Sequence, residues 1–219
     1  MTTGPVYRRF ARITVLAALV SPVLISCSVV PGANAPPPRL FVLSPKATFT
    51  TEARQTDWQL AIDVPLAEAG LNTARIALRH NPLSLNYFER ANWIDTAPRM
   101  VQTLMVESFE NSGKIMAVAR SSVGLRADYS LLSDLREFQA EYNGSDAPAV
   151  RVRLNFKLIR MPQRVIVGTT NIERSVKAAG TRLEDIVLAY DDALGKVLRR
   201  MVEWTLQSLP VRVVDPDRR

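Results

Sequence analysis

The chain has 219 residues, of which 47 % are hydrophobic and 22 % are charged, a composition typical of about one folded domain with an appendage. The net charge is +7, but three arginines lie in the first twelve residues, and the remaining positive excess is too small to indicate nucleic-acid binding. A single cysteine, Cys27, excludes an internal disulfide, and a single histidine, His80, excludes a two-histidine metal site.

Residues 1–26 have the pattern of a secretory signal peptide. A basic start is followed by an apolar run of 13 residues, 13–25, which is too short to cross a bilayer as a permanent helix. The run and the cysteine after it resemble the bacterial lipobox, which implies cleavage before Cys27 and attachment of a diacylglyceryl group and further acyl chains to that residue. A plain signal peptide with an incidental cysteine is the alternative. The lipobox positions are Leu24, Ile25 and Ser26.

Residues 27–39 predict a lipidated tether. Segment 31–38 carries four prolines and no charge, and proline-rich chain adopts an extended, semi-rigid geometry. Several acyl chains on Cys27 would give stable membrane attachment, for which one chain is insufficient. Ser28 stands where lipoproteins of the inner membrane commonly have aspartate. The resemblance therefore implies the periplasmic face of the outer membrane.

Residues 40–209 predict one folded domain whose first half contains strands and then a helix. Alternation of apolar and polar residues, with a period of two, predicts the strands. Pro98 lies near the start of a helical pattern, and Gly113 is suited to the left-handed C-cap at its end. The strand candidates of this half are 41–43, 58–64, 76–78 and 83–87.

The second half repeats this order, with strands at 115–119, 150–158 and 164–177. A capping box that begins at Thr181 predicts the start of a long helix, with a flexible tail at 210–219. Segment 131–142 fits a helix and a strand equally well. The sum predicts an α+β fold in which a single, mostly antiparallel sheet is covered by two main helices, behind the lipidated tether.

Three stretches of the chain carry a family resemblance through their order and spacing. They are LNTARIALRHNPLSLNYFERANWIDTAPRMVQTLM, LLSDLREFQAEY and RLEDIVLAYDDALGKVLRRMVEW. With the lipobox and the proline-rich spacer, they resemble the ABC-type transport auxiliary lipoproteins, which include the PqiC-type lipoproteins of MCE lipid-transport systems. The likeness spans most of residues 40–206 and implies that the ambiguous segment at 131–142 is a strand.

The resemblance implies an accessory role in lipid or phospholipid trafficking between the inner and outer membranes. The implied partner is an MCE-domain protein of an ABC transport system, with no nucleic acid, no enzymatic reaction and no cofactor beyond the lipid on Cys27. A lipoprotein that itself binds a small apolar ligand or a lipid is the alternative. A periplasmic hydrolase is a third hypothesis, which the lone histidine disfavours.

Arg151, Arg153 and Lys157 form a basic face on the strand at 150–158 and are candidates for contact with an acidic partner or a lipid phosphate. The solvated side of an antiparallel sheet would look the same. Four carboxylates near the start of the last helix offset its dipole and are not expected to bind metal. We expect Trp93 and Trp204 to be packing anchors. The four carboxylates are Glu184, Asp185, Asp191 and Asp192.

Overall fold

The structure is a computed structural model and describes Met1 and residues 36–49, 55–124 and 126–208. The predicted lipobox, Cys27, most of the tether and the tail lie outside these residues. All the elements described below belong to one compact unit that starts at Pro37. Within the described ranges, no helix is both long enough and apolar enough to span a membrane.

The described part of this unit contains nine strands, two α-helices and one short 3₁₀ turn. Helix α1 is Ala97–Ser112, helix α2 is Leu183–Ser208, and the 3₁₀ turn is Ser121–Val123. The strands are β1 (Arg39–Phe41), β2 (Thr56–Ile62), β3 (Leu66–Ala67), β4 (Arg75–Arg79), β5 (Asn86–Trp93), β6 (Ile115–Arg120), β7 (Tyr129–Glu141), β8 (Ala149–Arg160) and β9 (Val165–Lys177).

Strand β7 organises the sheet because it pairs along both of its edges. On one edge, β2, β3 and β4 follow each other along β7, and all three run parallel to it. On the other edge, β8 pairs antiparallel along almost the full length of β7, and β9 pairs antiparallel with β8. Strand β6 then pairs parallel with β2, and β1 pairs parallel with β5.

The predicted mostly antiparallel sheet is therefore wrong. Five of the eight strand pairs among the described residues are parallel, and three are antiparallel. The sheet is mixed and curls into a half-barrel. One reason is α1, since a helix between β5 and β6 returns the chain far enough for β6 to lie parallel to β2. The two main helices and the α+β content are present as predicted.

The core lies between the sheet and the two helices. Alternate residues of β8 are fully buried, and they pair with the buried residues of β7. Helix α2 packs on β8 and β9, whereas α1 packs on β2 and β6 and touches α2. At the centre, the rings of Trp93, Phe138 and Tyr190 lie with their centroids 5.0–5.6 Å apart. Aromatic contacts of this kind add about 0.5–1.5 kcal/mol each beyond area burial. Trp93 is thus the packing anchor that was expected.

Helix α2 starts one residue later than the predicted capping box requires. Helix α2 begins at Leu183, and the carbonyl of Arg182 accepts the first intrahelical bond from Ile186 N–H at 3.1 Å. Arg182 therefore occupies the N-cap position, one residue beyond Thr181. The predicted C-cap of α1 is confirmed, since Gly113 has φ 61° and its N–H donates to the Glu110 carbonyl.

Several strand boundaries also differ from the prediction by one or more residues, and those of β1 and β5 have local causes. Strand β1 begins at Arg39, two residues earlier than expected, because its partner β5 extends that far. Leu83 is 98 % exposed and lies outside the sheet. The cause is a local turn, in which Leu83 N–H donates to the Asn81 side chain at 3.0 Å, so that β5 starts only at Asn86. Segment 131–142 lies mainly in β7, as the family resemblance implied.

Candidate functional site

The face of β7 and β8 that points away from the helical core carries polar and charged side chains. Because residues alternate between the two faces of a strand, Arg151, Arg153, Asn155 and Lys157 share this face of β8. The predicted basic face is therefore present as one surface. Its members have different surroundings, and the structure divides them into two groups.

Arg151 and Arg153 belong to an ion-pair network. Arg151 lies 3.2 Å from Glu141 and 3.2 Å from Glu173, and Arg153 lies 2.9 Å from Glu137. The side chains of Glu137 and Glu141 are only 14 % and 13 % exposed, so these charges are mostly shielded from water. Carboxylates thus compensate both guanidinium groups.

Lys157 lines a cavity of about 620 Å³ at the other end of the same face. The cavity lies where the start of β7, the end of β8 and the end of β2 meet, beside the turn between β8 and β9. We call it the sheet cavity. Its lining includes Ala61, Asp63, Leu132, Lys157, Ile159 and Arg164.

The charged groups of the sheet cavity are not equally compensated. Asp63 accepts a hydrogen bond from the Ser130 hydroxyl at 2.8 Å, and Asp134 lies 3.8 Å from Arg136. Neither Lys157 nor Arg164 forms an ion pair with any carboxylate among the described residues. Among the described residues, the cavity lining therefore contains two cations without a carboxylate partner and one carboxylate, Asp63, that is hydrogen-bonded but has no cationic partner.

Sequence reasoning found Lys157 but missed the rest of this cavity. Leu132 and Ile159 look like ordinary strand residues, and Arg164 lies in the turn after β8. Arg164 has φ 57°, in the left-handed region that side-chain-bearing residues seldom adopt. The turn between β8 and β9 brings Arg164 to the end of β8 that carries Lys157. Leu132 and Ala61 join them through the pairing of β7 with β8 and with β2, which no local sequence pattern indicates.

The four acidic residues of α2 are held separately. Glu184 pairs with Arg39 at 2.6 Å, and its pKa is lowered first by hydrogen bonding to its own backbone N–H and then by Arg39. Asp191 accepts from Ser44 N–H at 2.6 Å. Asp185 lies 3.7 Å from Arg182, and Asp192 pairs with Lys196 at 2.8 Å. Across the described ranges, no group of three or more histidine, cysteine or acidic residues is placed to hold a metal ion.

His80 and Trp204 contact neighbouring side chains and backbone. His80 follows β4, and its ring lies 4.9 Å from that of Tyr142, centroid to centroid. Trp204 of α2 is half-buried and packs against the core beside Gly168. A Cβ added at Gly168 would lie 3.1 Å from the Trp204 ring. Trp204 is therefore a packing residue, as expected.

Comparison with known proteins identifies the family. The model of the ABC-type transport auxiliary lipoprotein component family matches residues 41–202. A solved structure of a Xanthomonas campestris protein of family DUF330 is 30 % identical and superposes with a TM-score of 0.74, over 78 % of this chain and 95 % of that one. Another solved structure, of an uncharacterised protein, is 12 % identical with a TM-score of 0.62, covers 78 % of this chain and 99 % of that one, and shows the fold alone.

One curated relative is an uncharacterised protein of Bradyrhizobium diazoefficiens, 27 % identical over 182 residues. The match covers 81 % of this chain but 48 % of the relative, so the chain spans about half the length of the curated relative it matches. The family match covers most of the described domain, and membership of a lipoprotein family indicates association with the cell envelope. The chain belongs to the ABC-type transport auxiliary lipoprotein component family.

Proposed function

We propose that the protein is the accessory lipoprotein of an MCE-type ABC system that moves lipid, including phospholipid, between the inner and outer membranes. It is held by the lipid on Cys27 at the periplasmic face of the outer membrane and acts by binding partner proteins, without a reaction of its own. The match of the family model to residues 41–202 carries this proposal. The lipobox and the family resemblance support the anchor and the MCE partner.

The free edge of β9 supports a role in binding proteins. Within the described part of the chain, β9 pairs only with β8, so its other edge keeps unpaired backbone donors and acceptors. Val165, Ile166 and Val167 are 45 %, 55 % and 38 % exposed, and no charged side chain interrupts the strand before Glu173. An edge of this kind accepts an extended segment of another protein. We therefore expect the partner's contact surface to include β9.

Affinity capture tests the partner role. The full-length chain, tagged at the carboxyl terminus, is expressed in its own host, the membranes are gently solubilised, and co-purifying proteins are identified by mass spectrometry. We expect the MCE-domain subunit of an ABC system. A Val165→Lys/Val167→Lys double variant should lose it, because charges on an edge strand oppose strand addition.

Leu83→Lys is the matched control, since Leu83 is 98 % exposed and lies outside β9. It should retain the subunit. If the β9 variant captures the transporter at the wild-type level, β9 is not part of the interface. Failure of the wild-type protein to capture any ABC-system subunit would contradict the proposed role itself.

The sheet cavity favours a second candidate function, in which the protein itself binds a lipid. A volume of about 620 Å³ lies within the range of roughly 300–1,000 Å³ that is usual for small-ligand sites. The cavity lining combines seven apolar residues with eight polar or charged ones, so apolar surface and hydrogen-bonding groups meet in one site. This function could accompany partner binding, since the sheet cavity and most of the β9 edge are different surfaces.

A further inference from the structure

We propose that the sheet cavity binds a single-chain anionic lipid, with the acyl chain against its apolar walls and the head group at Lys157 and Arg164. This inference rests on the second candidate function, direct lipid binding, and specifies its ligand and residues. It assigns a role to Lys157 that differs from that of Arg151 and Arg153, although all three lie on one face of β8.

The walls of the cavity suit an acyl chain. Leu132 and Ile159 are apolar residues that line it from β7 and β8, and Ala61 lines it from β2. Val64 and Leu66, which also line it, are 42 % and 71 % exposed, so apolar surface continues to the solvent. Covering such surface with methylene groups is favourable because it removes apolar area from water. An apolar ligand portion is therefore stabilised at this place.

The charges of the cavity select an anionic head group. Both carboxylates interact with neighbouring groups, Asp63 with the Ser130 hydroxyl and Asp134 with Arg136. Lys157 and Arg164 have no carboxylate partner among the described residues. Hydrogen bonds from cations to an anionic oxygen are shorter and stronger than neutral ones. Because Arg136 lies beside Asp134, two cations that are unpaired among the described residues, Lys157 and Arg164, stand against one carboxylate without a cationic partner, Asp63. This excess of one positive charge favours a phosphate oxygen over a cationic head group.

The contrast within β8 supports this assignment. Arg151 and Arg153 have the same strand and the same face, but Glu137, Glu141 and Glu173 compensate them. A lipid phosphate would have to displace those glutamates to reach either arginine. At Lys157 it displaces no ion pair.

The size of the cavity suits a ligand with one acyl chain. About 620 Å³ is near the middle of the range of roughly 300–1,000 Å³ in which a site encloses one drug-sized molecule. A lysophospholipid or one chain of a membrane lipid matches this volume. A complete two-chain lipid would leave much of its apolar surface outside.

Photoaffinity labelling tests the inference on the full-length lipoprotein in phosphatidylcholine vesicles. The probe is lysophosphatidylglycerol with a diazirine in its acyl chain, and labelled positions are mapped by mass spectrometry. We expect labelling in peptides that contain Leu132 and Ile159. The same chain on lysophosphatidylcholine, which has no net charge, should label these peptides less.

A Lys157→Gln/Arg164→Gln double variant should need roughly tenfold more anionic probe for the same labelling, equivalent to about 1.4 kcal/mol of binding free energy. Arg174→Gln/Lys177→Gln is the matched control, because it removes two exposed cations from β9 at a distance from the cavity lining. It should label like the wild type. Equal urea midpoints of the two variants show that both are folded.

The outcomes separate the inference from the function on which it rests. Equal labelling of the cavity by both probes, unchanged in the Lys157→Gln/Arg164→Gln variant, would overturn the anionic assignment and keep direct lipid binding. Absence of labelling from the cavity peptides with either probe would overturn both. Neither result depends on whether the MCE-domain partner is captured.

Discussion

Removal of one hydroxyl group at the centre of the core tests the structure through stability and pH. The Tyr190 side chain is fully buried, and its hydroxyl donates to the Ala77 carbonyl at 2.6 Å, which ties α2 to β4. Tyr190→Phe keeps the ring against Trp93 and Phe138 but loses this bond. A hydrogen bond of this kind contributes about 1 kcal/mol net, so the variant should lose about that much unfolding free energy at pH 7.

The difference should then disappear at high pH. Burial raises the pKa of Tyr190 well above 10.0, so the folded phenol stays protonated where the unfolded one ionises. A group with a raised folded pKa contributes stability below its unfolded pKa and loses it as the pH rises. At pH 11 ionisation favours the unfolded wild type by about 1.4 kcal/mol, which Tyr190→Phe does not experience.

Urea unfolding at pH 8 to 11, monitored by tryptophan fluorescence, measures both effects. The wild-type advantage of about 1 kcal/mol at pH 8 should fall to about zero or reverse at pH 11. Phe156→Leu is the control, because it removes core packing without a titrating group and its difference from wild type should not follow this course. A Tyr190→Phe difference that stays constant from pH 8 to 11 would show that the buried Tyr190 phenol does not titrate differently in the folded and unfolded chains.

Three further substitutions test other parts of the account. Cys27→Ala should abolish incorporation of labelled fatty acid, and a variant that is still labelled would contradict the lipid anchor. Ser108→Ala removes a fully buried hydroxyl that accepts from Lys46 N–H at 2.9 Å and should lower the unfolding free energy by about 1 kcal/mol; an unchanged urea midpoint would contradict this. Gly168→Val places a side chain against Trp204, because a Cβ at position 168 already lies 3.1 Å from the Trp204 ring. The variant should lower the free energy of unfolding by about 1–3 kcal/mol. An unchanged melting temperature would show that β9 and Trp204 move apart without cost.

The elements that were predicted correctly from the sequence have an uninterrupted periodicity of apolar residues or clear signals at their ends. Strand β8 alternates from Val150 to Leu158 without interruption, and its even-numbered residues are buried. Helix α1 has Pro98 in its first turn and Gly113 at its C-cap, and both residues have backbone preferences suited to these positions. In such segments each residue's local preference agrees with the face it presents.

The ambiguity of β7 has a structural cause. A β-bulge between Leu135 and Glu137 inserts an extra residue, so the buried residues change from odd to even numbers. Leu131, Leu135 and Phe138 consequently follow a spacing of four and three, which is also the spacing of one helix face. Periodicity therefore could not assign this strand, whereas the family resemblance did.

The strand pairing and the sheet cavity could not be derived from local patterns. Alternation shows which residues share a face, but the parallel pairing of β2 and β4 with β7 depends on contacts between distant parts of the chain. In the same way, Lys157 was identified as a candidate, but its proximity to Arg164 at one cavity and the compensation of Arg151 by three glutamates depend on the folded sheet.

Site-specific photocrosslinking in living cells tests the proposed accessory role most directly. A photoreactive amino acid replaces Thr169 on the free edge of β9, and a second strain carries it at Leu83 as the control position. We expect a crosslink from position 169 to the MCE-domain subunit of an ABC transport system and none from position 83. With the protein present at its normal level, the absence of a crosslink from position 169 to any ABC-system subunit would contradict the account.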